Sequence, residues 1–292
     1  MDLHGILHGL AYVALGTVLL VVARLLVGFA LPYRLQEHLT KRDNPAVGLV
    51  FTGYLLGVLI IFLGASIGPE HVEMEDGALL DPTWGEIGQS MLVVAGYTLG
   101  GLVCLFVGTI LLDRIVLRRF AVTDEVIHDR NAGTGAVVFG SIVATALVIA
   151  GAVHGEGGGP ITALAFFGLG QVVLVLWSLV YQAFSKFDLH EQIEKDNVAA
   201  GVAYGLSVVG VGVVLLRASK DHFVGWAENL GEFGYFALTG FVVLVVLRVV
   251  TDRVLMPGDC LHVEIERDRN LNAAWAEGAV AIGGAAMIFF MM

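Results

Sequence analysis

Eight apolar stretches, at residues 7–31, 45–67, 90–112, 132–153, 161–184, 198–216, 231–250 and 271–292, leave this chain of 292 residues little else to fold. A helix that crosses the hydrocarbon of a bilayer takes about 20 such residues, and each stretch approaches or exceeds that length. With 57% hydrophobic and only 15% charged residues, the composition excludes an ordinary soluble domain. The expected fold class is all-α, a polytopic membrane protein with eight transmembrane helices. No Lys or Arg precedes the first stretch, which is also too long for a signal core, so it is read as a retained span. Cys104 lies inside the third stretch and Cys260 in a loop, in different layers, so no disulfide is expected between them.

The loops after the odd-numbered spans hold nearly all the basic residues, among them Lys41, Arg42, Arg118, Arg119, Lys195 and Arg267, whereas the opposite side has Arg217 and Lys220. The positive-inside rule makes the basic side cytoplasmic and puts both termini outside. The net charge of −11 argues against nucleic acid as a partner and leaves the lipid bilayer as the certain one.

One motif occurs four times, each time where a charged loop turns into an apolar stretch. It is centred on Asn44, Asn131, Asn197 and Asn270, with Asp43 and Asp196 directly before the first and third Asn. In the second and fourth copies an Arg intervenes, giving Asp129-Arg130-Asn131 and Asp268-Arg269-Asn270. The intervals Asp113 to Glu125 to Asn131 and Asp252 to Glu264 to Asn270 are both 12 and then 6 residues, a second sign of duplication. The spans therefore form four tandem two-helix repeats, 1–68, 69–155, 156–220 and 221–292, in halves 1–155 and 156–292. A two-span unit returns the chain to its starting side, so the copies share an orientation and a pseudo-symmetry about the membrane normal.

Each Asn is expected to cap the helix that follows it, and Pro45 fits the first helical position. The glycine-rich Asn-led helices are expected inside, where small residues let helices approach closely in lipid. Four helix N-termini balanced by Asp43, Asp129, Asp196 and Asp268 would form a polar mouth if they converged. Glu277, seven residues into the last Asn-led helix, is the single acid deep in a span and is a candidate ion or proton site, or else a hydrogen-bonded structural acid.

Other candidates are weaker. His4 and His8 stand four apart on one helical face and could share a metal, but no third ligand is indicated. The acidic outer loop from Gly68 to Glu86, with His71, lacks calcium-loop spacing. The third cytoplasmic loop reads as a short helix capped by Asp188 and lying on the membrane surface, whereas alternating Leu261, Val263 and Ile265 lean towards an extended fourth loop. No phosphate-binding loop, nucleophile elbow or zinc-protease pair is present, so neither an enzyme nor a cofactor is expected.

The run from Phe187 to Gly201, followed by a glycine-rich helix, resembles the unit of the domain of unknown function 350 family, the YjfL-like bacterial inner-membrane proteins. The resemblance covers nearly the whole chain as two fused pairs of units and is weakest in the fourth. It implies a fold rather than a reaction, and a setting among membrane-stress and polyamine-related genes. Two functions are expected from these readings: a channel or transporter for a small ion or polar solute along the Asn mouth and Glu277, or a membrane scaffold recruiting stress proteins through its cytoplasmic loops. Either is compatible with a homo-oligomer.

Overall fold

The computed structural model describes residues 3–30, 33–67, 83–119, 121–155, 157–258 and 260–292. The acidic segment 68–82 and Pro32 lie outside these. Among the described residues there is no strand, and eight helices are long and apolar enough to cross a membrane. They are α1 (Leu3–Ala30), α2 (Pro45–Ser66), α3 (Trp84–Ile115), α5 (Ala132–His154), α6 (Gly159–Ser185), α8 (Val198–Ser219), α9 (Trp226–Val250) and α11 (Leu271–Met291). Short helices α4 (Val122–Ile127), α7 (Leu189–Glu194) and α10 (Leu261–Glu266) and a π-helical turn at Glu37–Lys41 occupy the loops before the Asn-led spans.

The span ends follow local chemistry. α3 starts six residues ahead of its apolar stretch because Thr83 and Glu86 form a reciprocal cap: the Glu86 N–H donates to Thr83 Oγ1, and the Thr83 N–H donates to Glu86 Oε2 at 2.7 Å. At the start of α9 the Asn229 side chain does similar work, accepting from the N–H groups of Val224 and Gly225.

Two loop expectations are corrected. Residues 261–266 are helical, not extended, because burying Leu261 and Ile265 four positions apart on one helical face satisfies the same apolar pattern. The Leu261 N–H is then taken up by Asp252 Oδ1 at 2.6 Å. In the third loop Asp188 caps α7 as expected, accepting from the N–H groups of His190 and Glu191. Its apolar side, Phe187, Leu189 and Ile193, is however buried against the bundle rather than turned to lipid.

The spans form two layers. α2, α5, α8 and α11 pack in that order as an inner row, each on the next. α3 lies against α2 and α5, α6 against α5 and α8, and α9 against α8 and α11, while α1 packs on α2 and α3. The units share one orientation, as pseudo-symmetry about the membrane normal requires, but the row is open, with no comparable packing of α11 on α2. The four Asn-led N-termini therefore follow one another along an open row and do not close into a mouth. Burial follows that order: 78% and 83% of the spanning windows of α5 and α8 are enclosed, against 50% and 39% for α2 and α11 at the ends.

What sets the inner layer apart is how closely its helix backbones approach at several glycines. A Cβ on Gly140 of α5 would collide with the Gly205 carbonyl of α8, and one on Gly135 would lie 2.7 Å from the Ala46 Cα of α2. Lipid tails are as apolar as the side chains of a span, so close dispersion contact of this kind, rather than water exclusion, drives the association of spans.

Candidate functional site

The four Asn junctions share one local design. The residue before each Asn is left-handed: Asp43 at φ 47°, Arg130 at 57°, Asp196 at 52° and Arg269 at 50°. A left-handed residue ends a helix sharply, and Asp tolerates that conformation better than Arg, which must be held there by its surroundings. The following Asn N–H then closes on a carbonyl of the preceding loop helix, Asn44 on His38, Asn131 on Glu125, Asn197 on Gln192 and Asn270 on Glu264, at 2.8–3.0 Å.

The side chain does the rest. Its Oδ1 accepts from a backbone N–H in the first turn of the inner helix: Ala46 and Val47 for Asn44, Thr134 for Asn131, Ala200 for Asn197 and Asn272 for Asn270. Its Nδ2 reaches the next unit. Asn44 donates to the Val126 carbonyl at 2.8 Å, Asn131 to Ile193 at 2.7 Å and Asn197 to Ile265 at 2.8 Å. These three Asn are 3%, 1% and 0% exposed. Asn270 differs: its Nδ2 turns back to Glu264 Oε2 at 2.6 Å and the residue is only half-buried. Each Asn thus caps a helix as expected, and three of them also tie one unit to the next, which a reading of single segments does not disclose.

The Asp residues are less uniform than expected. Asp43 offers its backbone carbonyl to Arg130 Nη2 of the second unit at 2.6 Å. Asp196 Oδ1 receives the Gly133 N–H, at the start of the neighbouring unit's inner helix and not its own. Asp268 pairs with Arg267, and Asp129 is exposed. The six-residue interval noted in the sequence has a direct cause: Glu125 and Glu264 each accept from the Nδ2 of the Asn six residues on, at 2.8 and 2.6 Å. Burial of the Glu125 carboxylate in the junction pushes its pKa up, with the Asn131 hydrogen bond opposing the shift.

Glu277 is 3% exposed, on the side of α11 that faces α9. Arg248 of α9 brings Nε to 3.0 Å from its Oε1, a charge contact without aligned hydrogen-bond geometry at either carboxylate oxygen. The Arg248 guanidinium lies 4.3 Å from the Tyr181 ring centroid, and its Nη1 donates to Ser185 Oγ at 3.2 Å. Tyr181 in turn meets Tyr204 edge-on at 5.2 Å, and the Tyr204 hydroxyl is 2.6 Å from Ser178 Oγ. Removing one partner of a buried ion pair typically costs about 3–5 kcal/mol because the other charge is stranded. Arg248 and Tyr181 were not singled out in the sequence, although a lone Arg near the end of the seventh apolar stretch is the signal that marks one of them.

The repeat also explains where the pair sits. Phe51 and Tyr204 occupy the register of Glu277, seven residues after their Asn, and Arg24 of α1 lies 5.5 Å from the Phe51 ring centroid. An outer-helix Arg thus faces the same inner position in the first and fourth units, with a ring in one and a carboxylate in the other. His4 and His8 each face an aromatic ring, Trp84 at 5.0 Å and Tyr12 at 5.1 Å.

Comparison with known proteins agrees with this architecture. The family model described as Domain of Unknown Function (DUF350) matches the chain twice, over residues 1–153 and 157–292. A UPF0719 transmembrane protein of Aquifex aeolicus (strain VF5) is 23% identical over 264 residues, covering 89% of this chain and 90% of that protein. No solved structure matches the chain.

Proposed function

The chain belongs to the Domain of Unknown Function (DUF350) family, and on that premise we propose that it is a non-catalytic membrane scaffold, presenting its loop helices as a fixed row to partner proteins. In this reading the row faces the cytoplasm from a bacterial inner membrane, both termini lie outside, and the partners belong to an envelope-stress response. The excess of Lys and Arg on the junction side supports the orientation. The setting rests on the family resemblance.

The observation that carries the scaffold reading is the pairing of close backbone approach within the inner row with Asn ties between loops. The close approach of α5 to α8 at Gly140 and Gly205 leaves no room between them for a solute. At the same time the Nδ2 ties fix the order and spacing of the loop helices, beside which stand exposed charges such as Arg118, Glu194 and Lys195. Crosslinking in cells tests it: Glu194→Ala and Arg118→Ala should change which proteins are captured at the loops. An identical set of partners for both variants and the parent would remove its basis.

The transport reading keeps one observation of its own, the enclosed Glu277 carboxylate with unaligned oxygens beside Arg248. Liposomes holding the pure protein separate the two readings. Proton, cation or polyamine flux that is lost in Glu277→Gln supports transport, whereas absence of flux from the folded parent counts against it.

A further inference from the structure

The contacts between successive inner helices share one register, and the two ends of the row expose its two unmatched halves. Counted from the Asn, position +9 of one inner helix meets position +8 of the next: Gly53 meets Phe139, Gly140 meets Gly205, and Leu206 meets Gly278. In α11 position +9 is Ala279, which is exposed, and at +13 a Cβ on Gly283 would meet nothing within 4 Å. At the other end, position +8 of α2 is Thr52, also exposed. Gly48 at +4 likewise faces open space, although its counterparts Gly135 and Gly201 are pressed against Ala46 and Gly133.

A second observation points the same way and is polar. Three junction Asn residues donate Nδ2 to a carbonyl four or five residues before the next unit's Asn, at Val126, Ile193 and Ile265. Asn270 has only its own loop's Glu264. The matching carbonyl in the first unit is that of Leu39, five residues before Asn44, and none of the four junction amides reaches it.

We propose that the free face of α11 docks on the free face of α2 of a second copy, with Asn270 Nδ2 of one copy donated to the Leu39 carbonyl of the other. The interface is then a fourth use of one the chain already makes three times. It is head-to-tail, because the two faces differ. At about 100° per residue, the forward-facing positions +9 and +13 are centred about 140° from the backward-facing positions +4 and +8 around each inner helix. The row therefore turns by about 40° per helix, near the 45° at which eight inner helices, four from each of two copies, close a ring. This inference does not depend on the scaffold reading, since it concerns assembly whatever the loops bind.

The test uses the full chain in its native membrane with Cys104→Ser and Cys260→Ser, and adds Thr52→Cys and Ala279→Cys separately and together. Mild oxidation should give covalently linked copies when the two single variants are co-expressed and none when either is present alone. Absence of crosslinking between them overturns the proposal, and so does crosslinking of Ala279→Cys with itself, which would mean face-to-face α11 pairing. Independently, Gly283→Leu fills open space within one copy, so it should keep the parent's helix content while reducing the mass in nanodiscs from two copies to one. A parent of one-copy mass, its α11 face covered by lipid alone, or a Gly283→Leu mass equal to a two-copy parent, overturns it as well.

Discussion

Asn197 satisfies three parts of the fold at once: its N–H ends one helix, its Oδ1 starts another and its Nδ2 holds a neighbouring unit, all with no exposure to solvent. Loss of an N-cap costs about 1 kcal/mol, and stranding a buried hydrogen-bonding group adds about 1–3 kcal/mol. Asn197→Ala should therefore destabilise by about 2–4 kcal/mol in detergent unfolding measurements, and Asn270→Ala, which loses a cap at a half-exposed site, by about 1 kcal/mol. Equal losses would show that the ties between units contribute nothing. Glu125 gives a pH dependence. Burial raises its folded-state pKa, so its contribution to stability is full below the unfolded value of about 4.3 and is lost as pH rises through the folded value. Glu125→Gln keeps an acceptor for Asn131 and removes that loss. Its Tm should match the parent's near pH 4 and exceed it at pH 8. The capping role was legible because an Asn before an apolar run is a local signal, whereas the Nδ2 partners are 62 to 82 residues away and leave no local trace.

Among the elements, the spans were legible almost to their ends, since apolar length alone decides what can cross a bilayer, and the two starts that differed most, at α3 and α9, were moved outward by polar caps. α10 was harder because Leu261, Val263 and Ile265 fit an alternating strand as well as a one-turn helix; the i, i+4 burial of Leu261 and Ile265 decides it. Which glycines matter could not be read from their number. A Cβ on Gly140 would run into the α8 backbone, while one on Gly96 of α3 would meet nothing within 4 Å. Gly140→Ala should cost about 1–3 kcal/mol through overpacking, and Gly96→Ala should be neutral or slightly stabilising as helix propensity dictates. Thermal unfolding of the two variants side by side checks this contrast.

At the scale of the whole molecule, the common orientation of the units followed from two spans per repeat, but the open row did not, because spacing along the chain records how each unit is placed in the membrane and not whether the last meets the first. The row also predicts how the molecule can be shortened. A chain ending at residue 155 leaves Asn131 in the position Asn270 now holds, with Glu125 available to its Nδ2 as Glu264 is to that of Asn270. Residues 1–155 should therefore insert and fold as a four-span bundle, with helix content and protease resistance per residue close to those of the full chain. A proteolysed, non-cooperative product would show that the central contacts of α5 with α8 are indispensable.

The one-way sense of the Asn ties bears on how such a protein is made. Asn44, Asn131 and Asn197 wait for carbonyls 82, 62 and 68 residues further along the chain. During translation each unit thus enters the bilayer with one side-chain N–H still without its carbonyl, and the arrival of its successor supplies it while bringing in the next. Lengthening the protein calls for no contact of a new kind, so a tandem duplication in the gene can extend the product without first breaking it.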